Sequence, residues 1–176
     1  KMFKGCTALT AGPNVDTSKS GNLSYFLDGC TSITSIPAYN TSRAYNLSYM
    51  LSGTQMTTLP ELNMLMAVST VGMLKNCNQL QSVTKINTEN AESMDEMFYG
   101  NTALTSIGSI YMSKVIAANK MFSGCQSLSS LPALDLPRLE FASNMFQGCS
   151  SLRTIYAAAS TDWSELASLT ASGAMF

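Results

Sequence analysis

Apolar residues recur along this chain in a pattern that returns about every 24 residues. Part of each repeat places apolar or small residues at positions i, i+3 and i+4, as at Leu23, Phe26 and Leu27. Such a spacing brings the three side chains onto one face of a helix. We therefore predict a short helical segment of about two turns in each repeat, with its apolar face turned inward.

A recurrent residue pair near the end of this segment marks the repeats. The first residue of the pair stands at Met2, Phe26, Met50, Met73, Met97, Met121 and Met145. Every step is 24 residues except the step of 23 after Met50, where "GTQMTTLP" is one residue shorter than "GCTSITSIP". Self-similarity at a fixed period indicates a repeat architecture. We expect residues 1–176 to form a single solenoid of about seven repeats, a segment of a longer array, with 157–176 as an irregular terminal repeat or cap.

The second position after the pair favours a residue that tolerates a left-handed backbone. It is occupied by Gly5, Gly29, Gly53, Asn76, Gly100, Gly124 and Gly148. Helices commonly end in such a conformation, which glycine adopts freely and asparagine tolerates. We predict that these residues cap the helical segments.

A more extended segment follows, with the pattern Cys-x-x-Leu-x-x-Leu-Pro, as at Cys125, Leu128, Leu131 and Pro132. We predict one short strand per repeat, stacked in parallel about 4.8 Å from its neighbours. The expected fold class is an α/β repeat solenoid with one strand and one helical segment in each repeat.

The first position of this extended segment requires a small side chain. It is filled by Cys6, Cys30, Thr54, Cys77, Asn101, Cys125 and Cys149. We interpret these residues as an inner column of side chains that hydrogen-bond to the backbone of the turns. Disulfides between adjacent repeats are the alternative, but parallel side chains give poor disulfide geometry. The spacing lacks the C-x-x-C clusters of zinc sites, so we expect no metal.

Composition and charge argue against several functions. The net charge is −1 and only 12% of residues are charged, so we expect neither a nucleic-acid partner nor membrane insertion by this segment. Histidine is absent, which excludes Ser-His-Asp and Cys-His catalytic arrangements. We expect no catalytic residue, no cofactor and no enzymatic activity.

Two groups of residues are candidates for ligand binding. If the residues between the apolar strand positions face outward, they form ladders of hydroxyl groups with little charge; those we single out are Thr34, Ser35, Thr57, Thr58, Thr105, Ser106, Ser129, Ser130 and Arg153. Tyr25 and Tyr49 share one repeat position, so their rings should stack, and Tyr45 lies close in sequence. Grouped aromatic residues often mark binding surfaces. Both groups are also compatible with a purely structural role, as strand residues and as packing between repeats.

The segments "MFKGCTAL", "MFYGNTALTSI", "MFSGCQSLSSLPALD" and "NMFQGCSSLRTIY" resemble the BspA-type leucine-rich repeats of bacterial surface proteins. The resemblance covers essentially the whole chain. It implies a right-handed solenoid with parallel strands on one face. It also implies an extracellular, cell-surface or virion-surface location, with roles in adhesion, host-protein binding or phage fibres.

Two hypotheses follow from these observations. The chain is either a surface module that binds a protein or glycan ligand, or a structural spacer that contacts only the flanking repeats of its own chain. The family resemblance favours the binding module, whereas the uniform strand face favours the spacer.

Overall fold

The computed structural model describes residues 1–161, which form successive coils stacked along one axis. We number the coils from the repeated residue pair: coil 1 covers 2–25, coil 2 covers 26–49, coil 3 covers 50–72, coil 4 covers 73–96, coil 5 covers 97–120, coil 6 covers 121–144 and coil 7 begins at 145. Strands β1 (Ser82–Ile86) and β2 (Ser106–Ile110) pair in parallel, with Ser82 opposite Ser106. Strand β2 comes close to β1 at Gly108, where a Cβ atom would strike the Thr84 carbonyl.

Single parallel bridges extend this pairing into two ladders, and each bridge joins residues 23 or 24 positions apart. The first ladder has two parts: one bridge joins Ala11 to Ser35, and a run of pairs joins Thr58, Ser82, Ser106 and Ser130. The second ladder links Asn22, Asn46, Ser69, Ser93, Ala117 and Phe141. The predicted parallel stacking is therefore confirmed, although within residues 1–161 only two coils extend it into a regular strand of five residues. The right-handed sense of the solenoid stays a prediction.

The predicted helical segments are wrong: residues 1–161 contain no helix. Each of these segments is instead a pair of successive tight turns. In the segment 23–30, the Phe26 amide donates to the Leu23 carbonyl (3.2 Å) and the Cys30 amide donates to the Leu27 carbonyl (3.1 Å). Amides between these two bond outward: Leu27 donates to Met50 and Gly29 to Ser52 of the next coil, both over 2.8 Å. A helix would satisfy these groups within its own segment.

Each of these turns has a left-handed residue at its third position, as a type II turn requires. In one turn of each pair this residue is Tyr25, Tyr49, Gly72, Glu96, Lys120 or Asn144, with φ between 54° and 57°. In the other it is one of the seven predicted capping residues, with φ between 56° and 79°. Gly5, Gly29, Gly53, Asn76, Gly100, Gly124 and Gly148 thus have the predicted backbone conformation, but they complete turns rather than cap helices.

The core lies inside the coils and is built from side chains that the turns direct inward. Phe98, Phe122 and Phe146 stack in successive coils, with ring centroids 5.5 and 5.6 Å apart and interplanar angles of 7° and 6°. Leu27, Leu51 and Leu74 take the same position in earlier coils and are fully buried. Each coil therefore packs its apolar side chains chiefly on those of its neighbours, as expected for a solenoid.

The predicted inner column of small side chains is present. The thiols of Cys30, Cys77, Cys125 and Cys149 donate to carbonyls of the preceding coil, at Phe3, Leu51, Phe98 and Phe122, over 3.0–3.2 Å. Thr54 donates to Leu51 of its own turn (2.8 Å). Asn101 accepts a bond from the Cys77 amide (2.8 Å) through Oδ1, while its buried Nδ2 has no partner among the described residues. Cys6 lies partly buried in coil 1.

The predicted terminal repeat or cap over 157–176 lies mostly outside the described residues. Its first residue, Ala157, pairs in parallel with Leu134 of coil 6.

Candidate ligand-binding face

The hydroxyl-rich residues at and beside the first ladder face outward. Thr34, Ser35, Thr57, Thr58, Thr105, Ser129 and Ser130 are exposed, and Ser106 is half-buried. Some of these hydroxyls are already engaged by the fold. Thr34, Thr105 and Ser129 donate to the carbonyls of Thr10, Gln81 and Thr105 in the preceding coil, over 2.9–3.3 Å. The ladder hydroxyls therefore stabilise the stack as well as forming its surface.

The backbone bonding between coils lapses over part of coils 2 and 3. Within the described part of the chain, residues 59–62 make no backbone hydrogen bond to either neighbouring coil, and the same is true of residues 36–38 in coil 2 and 131–133 in coil 6. A proline lies in each of these segments, and proline has no amide proton to donate. Coil 3 is in addition the coil that is one residue shorter than the others.

A depression opens at this lapse, and we call it the trough. Its volume is about 550 Å³, and it is lined by residues 38–42 of coil 2, residues 61, 62, 63 and 65 of coil 3, and Lys85 and Asn87 of coil 4. A second hollow of about 360 Å³ lies against Leu59–Glu61 and Val83–Lys85, so the two share Glu61 and Lys85. Thr58 and Ser82 are bridged just before these segments, so the first ladder, whose exposed residues are mostly Ser and Thr, ends beside the trough. We call this row of exposed Ser and Thr residues the hydroxyl ladder.

Three asparagines at one repeat position line the trough. Asn40 and Asn63 each accept a bond from a backbone amide two residues further on, at Ser42 (3.1 Å) and Leu65 (3.2 Å). Asn87 differs, because its buried Oδ1 atom has no hydrogen-bond partner among the described residues. An unpaired buried acceptor costs about 1–3 kcal/mol, so this oxygen is a site that a bound donor would satisfy.

Two opposite charges flank the same depression. Glu61 and Lys85 occupy one repeat position on adjacent coils, and both are exposed. The ion pairs in the described part of the chain are Lys4–Asp28 and Lys75–Glu96, so Glu61 and Lys85 do not pair with each other. Their hydrogen-bonding capacity thus remains directed to solvent or to a ligand.

The predicted tyrosine stack is confirmed. The rings of Tyr25 and Tyr49 lie 5.0 Å apart at 10°. The Tyr25 ring also lies under the ammonium groups of Lys1 and Lys4, at 5.1 and 4.6 Å. Tyr49 extends over Gly72, where a Cβ atom would strike its ring, and burial raises the pKa of its hydroxyl. These two rings are largely engaged by the chain itself.

Tyr45 and Arg153 lie apart from that stack. Tyr45 is exposed beside the second ladder, with its ring over Gly21, and it makes no ring contact with Tyr49 in the described part of the chain. Arg153 is exposed on coil 7. Sequence reasoning missed the trough residues Glu61, Asn63, Lys85 and Asn87. The signal that could have found them was the shortened repeat, which marks where the stacking must adjust.

Within residues 1–161, no group of three His, Cys, Asp or Glu side chains is placed to hold a metal ion. That part of the chain also contains no helix long and apolar enough to cross a membrane.

The family model described as "Mycoplasma protein of unknown function, DUF285" matches residues 1–67 and 68–176. The chain belongs to this family. The match confirms the predicted relation to bacterial BspA-type leucine-rich repeats. No protein with a curated description is significantly similar to this DUF285 chain.

Two solved structures are similar to the DUF285 chain. A leucine-rich cell surface protein from Faecalibacterium prausnitzii is 16% identical with a TM-score of 0.35, and the match covers 90% of this chain but only 34% of that protein. A leucine-rich repeat protein from Bacteroides ovatus is 17% identical with a TM-score of 0.21, over 85% of this chain and 67% of that protein. The chain therefore spans about a third of the length of the Faecalibacterium protein.

Proposed function

We propose that this chain is a non-enzymatic recognition module on a bacterial surface, and that it binds its ligand on the face formed by the hydroxyl ladder and the trough. The observation that carries the proposal is the trough itself. Beside residues 59–62, which make no backbone hydrogen bond to a neighbouring coil, lies a depression of about 550 Å³ with both polar and apolar lining. Small-molecule sites commonly have volumes of about 300–1,000 Å³. The surface location is supported by the similar Faecalibacterium protein, which is a leucine-rich cell surface protein.

A binding screen on the purified chain tests this proposal. The chain is probed with an array of immobilised oligosaccharides and, separately, with a random-peptide display library. Two variants run beside it: one replaces Thr57 and Thr58 with Ala, and the other replaces Tyr25, Tyr45 and Tyr49 with Ser. We expect a ligand whose binding weakens in the threonine variant, because these exposed residues come directly before residues 59–62 on the same face.

Each result has a defined meaning. Loss of binding only in the tyrosine variant would keep the recognition function but move it to the tyrosine residues. Absence of any ligand in both arms would contradict the proposal.

A spacer role is the second candidate, and one specific observation favours it. The ladder hydroxyls of Thr34, Thr105 and Ser129 donate to the preceding coil, so part of the face is explained by stacking alone. In that role the chain would hold other parts of a longer surface protein at a distance. The same screen separates the two candidates, because a spacer binds neither sugars nor peptides.

A further inference from the structure

We propose that the trough binds a short, uncharged oligosaccharide, held by Glu61, Asn63, Lys85 and Asn87. This inference rests on the proposed recognition function and names the ligand class of the same site. The four residues belong to two adjacent coils and line one depression. Asn63 Oδ1 accepts the Leu65 amide, and the Lys85 ammonium lies 5.9 Å from the centre of the Tyr111 ring. Asn87 Oδ1 has no hydrogen-bond partner among the described residues.

The chemistry of the lining matches sugar hydroxyl groups. A hydroxyl both donates and accepts hydrogen bonds, and each carboxamide likewise offers a donor and an acceptor. The Glu61 carboxylate only accepts and the Lys85 ammonium only donates, so the two can bind neighbouring hydroxyls of one ring. Because the charges of Glu61 and Lys85 cancel, the trough has no electrostatic preference for a charged ligand.

The orphaned oxygen of Asn87 strengthens this assignment. Asn87 lines the trough, and its buried Oδ1 atom lacks a donor; rotation of this side chain toward the trough would bring the oxygen to a ligand hydroxyl. A ligand that satisfies a buried unpaired group gains affinity that an exposed group cannot give.

A folded protein partner fits the trough less well. Protein interfaces depend on large aromatic or apolar side chains that fill buried pockets. Of the larger apolar residues at the trough, Tyr39 and Leu62 are themselves buried and Leu65 is half-buried, and the Tyr39 hydroxyl donates to the Pro13 carbonyl (2.8 Å). The trough thus offers polar contacts at a small scale rather than an anchor pocket.

The experiment measures the affinity of the full chain for neutral trisaccharides, with maltotriose and tri-N-acetylchitotriose as the first probes, followed by the wider oligosaccharide array. The Glu61→Gln and Lys85→Met variants keep side-chain size but remove the charge. We expect each to weaken sugar binding by roughly tenfold, the usual effect of losing a charge-assisted hydrogen bond. Glu140→Gln and Lys19→Met serve as matched controls, because both residues are exposed and lie outside the trough.

A third variant separates a binding role from a structural one. Replacing Asn87 with Ala removes the unpaired oxygen, so it should weaken sugar binding while leaving the melting temperature unchanged or higher. An asparagine with a purely structural role would instead lower the melting temperature and leave affinity intact.

The outcomes distinguish this inference from the proposed function. A ligand found only among peptides would overturn the sugar assignment and keep the recognition module. Sugar binding that is equal in the trough variants and their controls would also overturn it. No ligand in either arm would overturn both proposals.

Discussion

At the scale of single residues, the inner column shows how one buried side chain per coil connects neighbours. The Cys125 thiol donates to the Phe98 carbonyl (3.1 Å), and the same carbonyl accepts the turn-closing amide of Asn101 (3.2 Å). One acceptor therefore closes a turn in its own coil and joins it to the next. This arrangement explains why the position accepts Cys, Thr or Asn but no bulky side chain.

The buried thiols should make the free energy of unfolding fall as the pH rises above about 9. Burial raises the pKa of the Cys77 thiol from 9.0 to about 11, because the thiolate would lose its hydration. The unfolded chain gives up this proton first, so the contribution to stability is complete below pH 9 and is lost as the pH rises toward about 11. We expect the free energy of unfolding to fall in this range by up to roughly 1.4 kcal/mol per pH unit for each such thiol.

Denaturant unfolding at a series of pH values measures this effect. The matched variant is Cys77→Thr, because Thr54 already fills the same column position. This variant should lose less stability between pH 9 and 11 than the unaltered chain. Identical alkaline profiles for the two chains would show that the thiol does not control the loss.

At the scale of elements, the turn pairs show that the sequence pattern predicts which side chains face inward but not which backbone hydrogen bonds form. Apolar residues at i, i+3 and i+4 predict one helical face, but two successive turns also point Leu23, Phe26 and Leu27 inward. The difference lies in the backbone hydrogen bonds. In segment 23–30, four backbone amides donate to the next coil and two donate within the segment, and bonds between coils cannot be inferred from one repeat. The left-handed glycines and the outward hydroxyls were predictable because they depend on local conformation. The trough was not, because it results from the fit of coil 3 between two neighbours.

The turn assignment predicts which single changes the stack tolerates. Gly124 has φ +79° and the Cα of Gly100 would lie 3.4 Å from an added Cβ. Gly124→Ala should therefore lower the free energy of unfolding by about 1–2 kcal/mol, the cost of a left-handed backbone with a side chain. The neighbouring change Ser123→Ala should lower the free energy of unfolding by less, because Ser123 does not have a left-handed backbone.

The left-handed position in the other turn of each pair allows the opposite change, from a residue with a side chain to glycine. Lys120 already bears this strain, with φ 54° and an exposed side chain. Lys120→Gly should stabilise the chain by about 0.5–1 kcal/mol, after the greater freedom of glycine in the unfolded chain is subtracted. Chemical denaturation of the three variants measures both effects. Equal stability of Gly124→Ala and Ser123→Ala would contradict the turn assignment.

At the scale of the whole molecule, stability is distributed along the stack. The ladder bridges join residues 23 or 24 positions apart, so each coil is held mainly by the two beside it. Such arrays behave approximately as a sum of unit stabilities and neighbour interactions. A local defect should then weaken nearby coils more than distant ones, which distinguishes this fold from a domain with one shared core.

Phe122 provides the sharpest test of that distribution. It is fully buried between Phe98 and Phe146, with ring centroids 5.5 and 5.6 Å away, so Phe122→Ala should cost roughly 3–5 kcal/mol. Hydrogen exchange should show the largest loss of amide protection in coils 5–7 and a progressively smaller loss toward coil 2. Leu27→Ala is the matched control, because Leu27 occupies the same position in coil 2 and is also fully buried; its losses should centre on coils 1–3. A uniform loss of protection throughout residues 1–161 in both variants would show instead that the coils unfold as one cooperative unit.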